Sequence, residues 1–438
     1  MEFKQYPSYK KSGVEWLGNV PEHWQIVRTK DIFNHRKEEA LEDDEIVTAF
    51  RDGQVTLRKN RRTDGFTNSI KEHGYQHINN GDLVIHEMDA FAGAIGVSDS
   101  SGKSTPVYTV CYAKNENINH HFYSHFFRTM AKTGFINSLA KGIRVRSTEF
   151  RWNESRNVYL AEPPKADQEK IVSFLDTETA RIDNLIAKQE KLIELLEEQR
   201  KSIISHAVTK GLNPNAPMKD SGVEWLGQVP EHWMTPSSKH LLEIPITDGP
   251  HETPNFVDDG VPFISAEAIS KGKIDFDKKR GYITPELNAI YSKKYSPKIE
   301  DIYMVKSGAT TGKVAMVETT EEFNIWSPLA VFRCNKNKVL PKFLLAVFNS
   351  SHFYDALVLN WSYGTQQNIG MGVLSNIEIP CPSLKEQAEI IQHLDAQNTK
   401  FDKLISTQSQ LIEKLKEYRS SIISHAVTGK IDVREFGA

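Results

Sequence analysis

Several stretches of the chain carry residue types that could do chemistry. Ser307 to Lys313 read SGATTGK, with the small residues and lysine of a phosphate cradle. A nucleoside-triphosphate loop needs four residues between its glycines and a Ser or Thr after the lysine. Here three residues separate Gly308 from Gly312, and Val314 follows Lys313. Backbone amides beside one lysine suit a nucleic-acid phosphate or groove better. His120, His121 and His125 lie close together, and the last two have the i, i+4 spacing that can grip zinc. With no third ligand nearby and no HExxH, they read as ordinary histidines of a surface helix. Asp275 and Asp277 beside Lys279 read as solvated acids in a lysine-rich loop rather than as magnesium ligands. Glu162-Pro163-Pro164-Lys165 is the nearest approach to the (Asp/Asn/Ser)-Pro-Pro-(Tyr/Phe) motif of a DNA methyltransferase, and it reads instead as a hinge that starts a helix. No nucleophile–base pair emerges.

What remains is basic and polar. Arg51, Arg58, Lys59, Arg61 and Arg62 cluster in RDGQVTLRKNRR, and Lys141, Arg144, Arg146 and Arg151 in KGIRVRSTEFR. Further along stand Lys271, Lys273, Lys278, Lys279, Arg280, Lys293, Lys294 and Lys306, then Ser307, Thr310, Thr311 and Lys313. The amide-rich SYGTQQN carries Tyr363, Thr365, Gln366 and Gln367. Lys and Arg position phosphates, while Arg, Gln and Asn read base edges, so double-stranded DNA is the expected partner. The net charge of −3 argues against a polycation that coats nucleic acid without preference. Three scattered cysteines, Cys111, Cys334 and Cys381, suggest neither a disulfide framework nor a thiolate zinc site. With no apolar run long enough for a membrane span, a reducing cytoplasm is the expected setting.

The elements that position these residues come in two copies. SGVEWLGNVPEHW at Ser12 to Trp24 returns as SGVEWLGQVPEHW at Ser221 to Trp233, and SIISHAVT at Ser202 to Thr209 returns unchanged at Ser421 to Thr428. The frames repeat while the middles share almost no text. Each middle reads as mixed α/β, with DLVIHEM, VYTVCYA, DIYMVKS and LAVFRCN as its β-rich runs. After each comes a proline-marked hinge and a long segment free of Pro and Gly. Apolar residues at four-three spacing, Ile171, Leu175, Ile182, Leu185, Leu192, Leu196 and Ile203, form a coiled-coil seam. Ile390, Leu394, Phe401, Leu404, Leu411, Leu415, Tyr418 and Ile422 repeat it in the second segment. Each helix is expected to run roughly 37 residues, about 55 Å, and to end at Gly211 or Gly429. Tethering favours an antiparallel pair within one chain. Gln189 and Gln408, at equivalent seam layers, are expected to share a hydrogen bond that fixes register.

The expected fold is therefore two copies of an α/β (α+β) domain separated by a long antiparallel two-helix coiled coil, a pseudo-two-fold tandem duplication. Its boundaries fall at residues 1–163 for the first domain, 164–210 for the first helix, 211–382 for the second domain, 383–430 for the second helix and 431–438 for a tail.

With its parts in this order, the whole chain resembles the specificity (S) subunits of type I restriction-modification enzymes. SGVEWLGNVPEHW and its copy look like the start-of-domain signature of that family. GDLVIHEMDAFAGAIGVSD, which holds Met88 and Phe91, resembles its recognition segments, as do LAKGIRVR, GATTGKVA and GTQQNI. The resemblance implies a non-catalytic reader of DNA. Two target-recognition domains would each contact half of a bipartite site, two methyltransferase (M) subunits would dock on the helices, and restriction (R) subunits would join them. No cofactor would sit in this chain, and S-adenosylmethionine, ATP and magnesium would belong to the partners. The competing readings are a coiled-coil adaptor without a DNA target and a self-sufficient nuclease or methyltransferase.

Overall fold

The computed structural model describes residues 3–61, 73–139, 150–270, 272–360, 362–363 and 367–437. They divide into two compact units. Unit 1 joins Met1–Gln189 to Gln410–Ala438, and unit 2 is Glu190–Ser409. The elements used below are β1 (Phe33–His35), β2 (Val47–Ala49), β3 (Val55–Leu57), β4 (Leu83–His86), β5 (Ile95–Val97), β6 (Tyr108–Ala113), α1 (His120–Lys132) and α2 (Lys165–Lys210). In unit 2 they continue with β7 (Thr247–Asp248), β8 (Ile302–Val305), β9 (Val314–Met316), β10 (Leu329–Phe332), α3 (Pro341–Phe348) and α4 (Leu384–Val427).

All four of the β-rich runs named above form strands, and the two unlike middles build the same sheet. Unit 1 has the antiparallel order β1-β6-β4-β5, and unit 2 has β7-β10-β8-β9. The central strands explain why so little shared text suffices. β4 and β8 are short apolar runs, LVIH and IYMV, almost wholly buried, and any β-branched or bulky apolar set of that length fills such a place.

Ahead of each central strand stands a buried carboxylate, Asp82 or Asp301. Asp82 accepts two hydrogen bonds from Arg36, at 2.7 and 3.0 Å, and Asp301 two from Arg333, at 2.8 and 2.7 Å. The backbone N–H of Asn79 and of Lys298 adds a further bond of 2.9 Å in each unit. The turn between them needs a left-handed residue. Unit 1 supplies Gly81 at φ 91°, whereas unit 2 places Glu300 there at φ 69°. A side chain in that region costs about 1–2 kcal/mol. Glu300→Gly is therefore expected to stabilise the chain by about 0.5–1 kcal/mol after the added chain entropy of glycine, measurable as a higher melting temperature. An unchanged or lower melting temperature would mean that the ion pair of Glu300 with Lys336 outweighs the strain.

The helix that follows is held by a buried glutamine in each unit. Gln168 accepts from Asn119 N–H and donates to the carbonyls of Asn117 and Pro163. Gln387 repeats the clasp on Leu340, Lys338 and Pro382. α1 is a core helix and not the surface helix that its histidines suggested. Phe122, Tyr123, Phe126, Phe127 and Met130 are fully buried along one face. His120 stacks on Phe33 and accepts from the backbone N–H of Ala113.

The repeated PEHW text has a mechanical explanation. In unit 1, His23 and Trp24 donate to Asp167 in the first turn of α2, at 2.8 and 3.4 Å. The indole also packs on Gly429, just past α4. In unit 2, His232 and Trp233 bind Glu386 in the first turn of α4, at 2.9 and 3.0 Å, and the indole packs on Gly211, just past α2. A carboxylate in the first turn also meets the positive end of the helix dipole. Each copy thus fastens the start of one helix to the end of the other. The tail takes part too, since Ile431 and Val433 are buried in the unit 1 core.

α2 has 46 residues and α4 has 44, about 69 and 66 Å, longer than the expected 37 because each extends back to its hinge proline. In unit 1 Arg419 of α4 pairs with Asp183 of α2, and in unit 2 Arg200 of α2 pairs with Asp402 of α4. Adding 219 to Asp183 and Arg200 gives Asp402 and Arg419, so the two pairs are one contact repeated. They fix antiparallel register by charge. The Oε1 of Gln189 is buried without a hydrogen-bond partner among the described residues. The seam is closed at its ends, where Ile171, Leu175, Ile390 and Leu394 are buried, but not in its middle. There Leu192, Leu404 and Leu411 are 39–46% exposed. A strict heptad drifts around a straight helix by about 20° per repeat, and in α4 Ile412 takes the buried place that Leu411 leaves.

Candidate nucleic-acid interface

The recognition loops expected from the sequence fall at the same place in both units. Residues 87–94 connect β4 to β5, and residues 306–313 connect β8 to β9. Both loops reach their next strand through a left-handed glycine, Gly93 at φ 89° and Gly312 at φ 88°. GDLVIHEMDAFAGAIGV and DIYMVKSGATTGKVAM are therefore structural counterparts, though their loops share only Ala90 with Ala309 and Gly93 with Gly312.

In unit 1 the loop stands beside the β2–β3 hairpin. Arg51 of the hairpin bonds Asp89 of the loop at 2.9 Å. Arg61 bonds Asp52 at 2.7 Å and lies over the Phe50 ring, and Lys59 pairs with Glu45. Arg58 is half-buried, with its Nε directed to Thr48 at 3.4 Å. It lines a cleft of about 500 Å³ with Phe50, Arg51, His86, Asp89 and Tyr108. Burial keeps His86 below the usual histidine range and pushes Tyr108 up to about 12. The cleft is thus walled by neutral aromatic donors with two guanidinium groups at its edge. Such a wall can hold a stacked base or a sugar-phosphate turn. Met88 is exposed on the loop and Phe91 is half-buried. Arg62, Lys141, Arg144 and Arg146 lie outside the described residues.

In unit 2 the SGATTGK residues divide. Lys313 is exposed, and Ser307 and Thr310 are half-buried. Thr311 is buried, and its hydroxyl donates to the Gly308 carbonyl at 2.7 Å, closing the turn. Lys306 has a side chain only 13% exposed, bonded to Asp248 at 3.1 Å. Lys294 and His251 reach the same carboxylate at 2.6 and 3.1 Å. Burial opposes the charge of Asp248, but hydrogen bonds from Lys294 and Lys306 win and hold its carboxyl below the ordinary range. Three basic groups around one acid leave the loop base positive. Gln367 is exposed and sits in the strand Gln367–Asn368, paired with Ser362–Tyr363. The Gly308 N–H donates to the Gln367 carbonyl and the Ile369 N–H to that of Lys306, so this hairpin braces the loop. Thr365 and Gln366 lie outside the described residues. Asp248 and Asp89, which organise the cations, carried no signal in the sequence, because the partners of an acid are known only once the chain is folded.

Among the described residues no helix is long and apolar enough to cross a membrane. Two copies of one scaffold each present a loop of different chemistry at the same place in the sheet. Residues 21–195 and 230–417 match the family model of the type I restriction modification DNA specificity domain, and the chain belongs to that family. It is 24% identical over 433 residues to the type I restriction enzyme MjaVIII specificity subunit of Methanocaldococcus jannaschii, covering 95% of this chain and 94% of that one. It is 23% identical over 359 residues to the EcoBI specificity subunit of Escherichia coli, covering 80% and 73%. Among solved structures, a chain from work on assembly and conformational transition of the type I R-M system matches 93% of this chain and 98% of its own, with a TM-score of 0.66 at 16% identity. The HsdS subunit from Thermoanaerobacter tengcongensis matches 94% and 98%, with a TM-score of 0.51 at 16% identity. These likenesses extend the shared fold across both units.

Proposed function

We propose that this chain is the non-catalytic DNA-reading subunit of a cytoplasmic type I restriction-modification complex, each unit reading one half of an asymmetric bipartite site. The observation that carries this reading is the pairing of sameness and difference. Sheet order, buried Arg–Asp turn, glutamine clasp and PEHW anchor recur. The loops 87–94 and 306–313, at the same place in the two sheets, share almost no chemistry. Unlike loops on like scaffolds read unlike half-sites.

The repeated frame serves a partner present twice. Leu192 and Leu411 are equivalent positions of α2 and α4, and both are exposed. A repeated exposed leucine offers two copies of a methyltransferase subunit the same docking contact, and restriction subunits join the resulting complex. S-adenosylmethionine, ATP and magnesium are bound by those partners. Each continuous helix begins in one unit and ends in the other, so its length sets the unread gap between the half-sites.

Co-expression with the methyltransferase subunit, followed by single-molecule sequencing of methylated adenines, tests the reading. One asymmetric motif with a constant gap is expected. Removing matched whole turns from both helices is expected to change the gap and leave the half-site letters alone. Altered half-site letters would overturn the ruler. A stable, cofactor-loaded complex without any methylated motif would overturn the reader.

A further inference from the structure

On α1, His125, Arg128 and Lys132 share one face at i, i+3 and i+7 spacing. Arg128 is wedged between two loops. A Cβ on Gly53, at the tip of the β2–β3 hairpin, would stand 2.4 Å from the Arg128 guanidinium carbon. A Cβ on Gly93, at the end of loop 87–94, would stand 4.0 Å from its Nε. Both glycines have positive φ, 94° and 89°, so backbone conformation and space together reserve this slot for a flat cation.

That cation has no counter-ion among the described residues. Its Nε is buried without an acceptor, as is the Nδ1 of His125. Asp52, the acid whose charge it feels, is engaged by Arg61, and the neighbouring Arg419 is held by Asp183. Among the described residues Lys132 reaches only the hydroxyl of Ser420, at 3.3 Å. Burial, reinforced by the charge of Arg419, lowers the pKa of Arg128, and burial with Arg128 beside it drives His125 down to about 3. A half-buried guanidinium normally acquires a partner, because an uncompensated charge is costly.

We propose that Arg128, flanked by Lys132, is a subsite for one DNA backbone phosphate in unit 1. The proposal rests on the DNA-reading function above and adds a contact that no loop motif shows. DNA is favoured as the source of the anion because the two loops pressed on Arg128 carry Arg51 and Met88, and the hairpin runs on through β3 into Arg58, Lys59 and Arg61. The subsite belongs to one half only. Counted from the clasped residues Asn119 and Leu340, the place of Arg128 in unit 2 falls to Asn349, whose amide is spent on the Leu345 carbonyl at 2.9 Å. The contact therefore grips the half-site read by unit 1.

The test uses the complex with its methyltransferase subunits and a fluorescent duplex carrying the methylated motif, titrated across a series of potassium chloride concentrations. Arg128→Gln is expected to make the log–log salt slope shallower by about 0.9, the value of one phosphate contact. It should weaken cognate and scrambled duplexes alike by about ten-fold, leave the methylated motif unchanged, and leave the melting temperature equal or higher. Arg128→Lys should keep most of the slope. An unchanged slope in Arg128→Gln overturns the proposal, and an unchanged slope with loss of assembly points to a partner carboxylate instead. Should Arg128→Gln fold poorly, Lys132→Gln is read in its place, with a shallower slope supporting the subsite and an unchanged one overturning it. If the unaltered complex binds DNA without salt dependence, the DNA-reading function fails together with the subsite.

Discussion

Replacing Asp301 with Ala is expected to destabilise unit 2 by about 3–5 kcal/mol, the cost of stripping one partner from a buried ion pair. Asp301 is 1% exposed and gathers four donors: the Arg333 Nε and Nη2, the Tyr295 hydroxyl at 2.6 Å and the Lys298 N–H at 2.9 Å. Its loss leaves a buried guanidinium without its counter-ion, holding only the Ser296 carbonyl, and leaves the Tyr295 hydroxyl only its bond with Tyr303 and the Lys298 N–H without its carboxylate. Replacing Asp301 and Arg333 together with apolar residues of similar size is expected to recover most of the loss, because the penalty lies in the orphaned charge and not in the missing attraction. Denaturant unfolding of the single and double variants separates the two effects. A single variant within about 1 kcal/mol of the parent would mean that water reaches Arg333 and replaces the carboxylate.

The second large effect belongs to Trp24. Its side chain is fully buried, packs edge-on against Tyr6 and Phe122, bonds Asp167 and rests on Gly429. Trp24→Ala is expected to cost about 3–5 kcal/mol through lost burial and the cavity left behind. Trp24→Phe keeps most of the packing and loses the indole N–H, while His23 still holds Asp167 at 2.8 Å, so a cost of about 1–2 kcal/mol is expected. Because the indole fastens the start of α2 and the end of α4, the Ala variant should also reduce methylation of the cognate motif at temperatures where the chain remains folded. Full methylation under those conditions would confine Trp24 to a packing role.

Both residues were visible as letters, with different degrees of meaning. Trp24 and Trp233 stood in a thirteen-residue repeat, and a repeat that survives between unlike middles had to serve what the two halves share. The sequence could not say that each copy grips the first turn of one helix and the end of the other, because Asp167 and Gly429 are distant in the chain. Asp82 and Asp301 were read only as the ends of strand runs, and their arginines arrive from different places, Arg36 beside an edge strand and Arg333 after a central one. The seam was legible at the helix ends. Its middle was not, because heptad spacing describes a face and only packing decides whether that face is covered.

The sequence by itself determined the duplication, the two long helices and the four central strands, since these depend on local period and repeated text. Tertiary structure alone decided that two unrelated middles fold into one sheet order, because strand pairing joins residues far apart and tolerates any apolar set that fills the pleat. It also decided which cations are available. Lys306 stood out in the text and is held by Asp248, whereas Arg128, unnoticed on a phenylalanine-rich helix, is left without a counter-ion among the described residues. Charge is written in the sequence, but its compensation depends on what folding brings within a few ångströms.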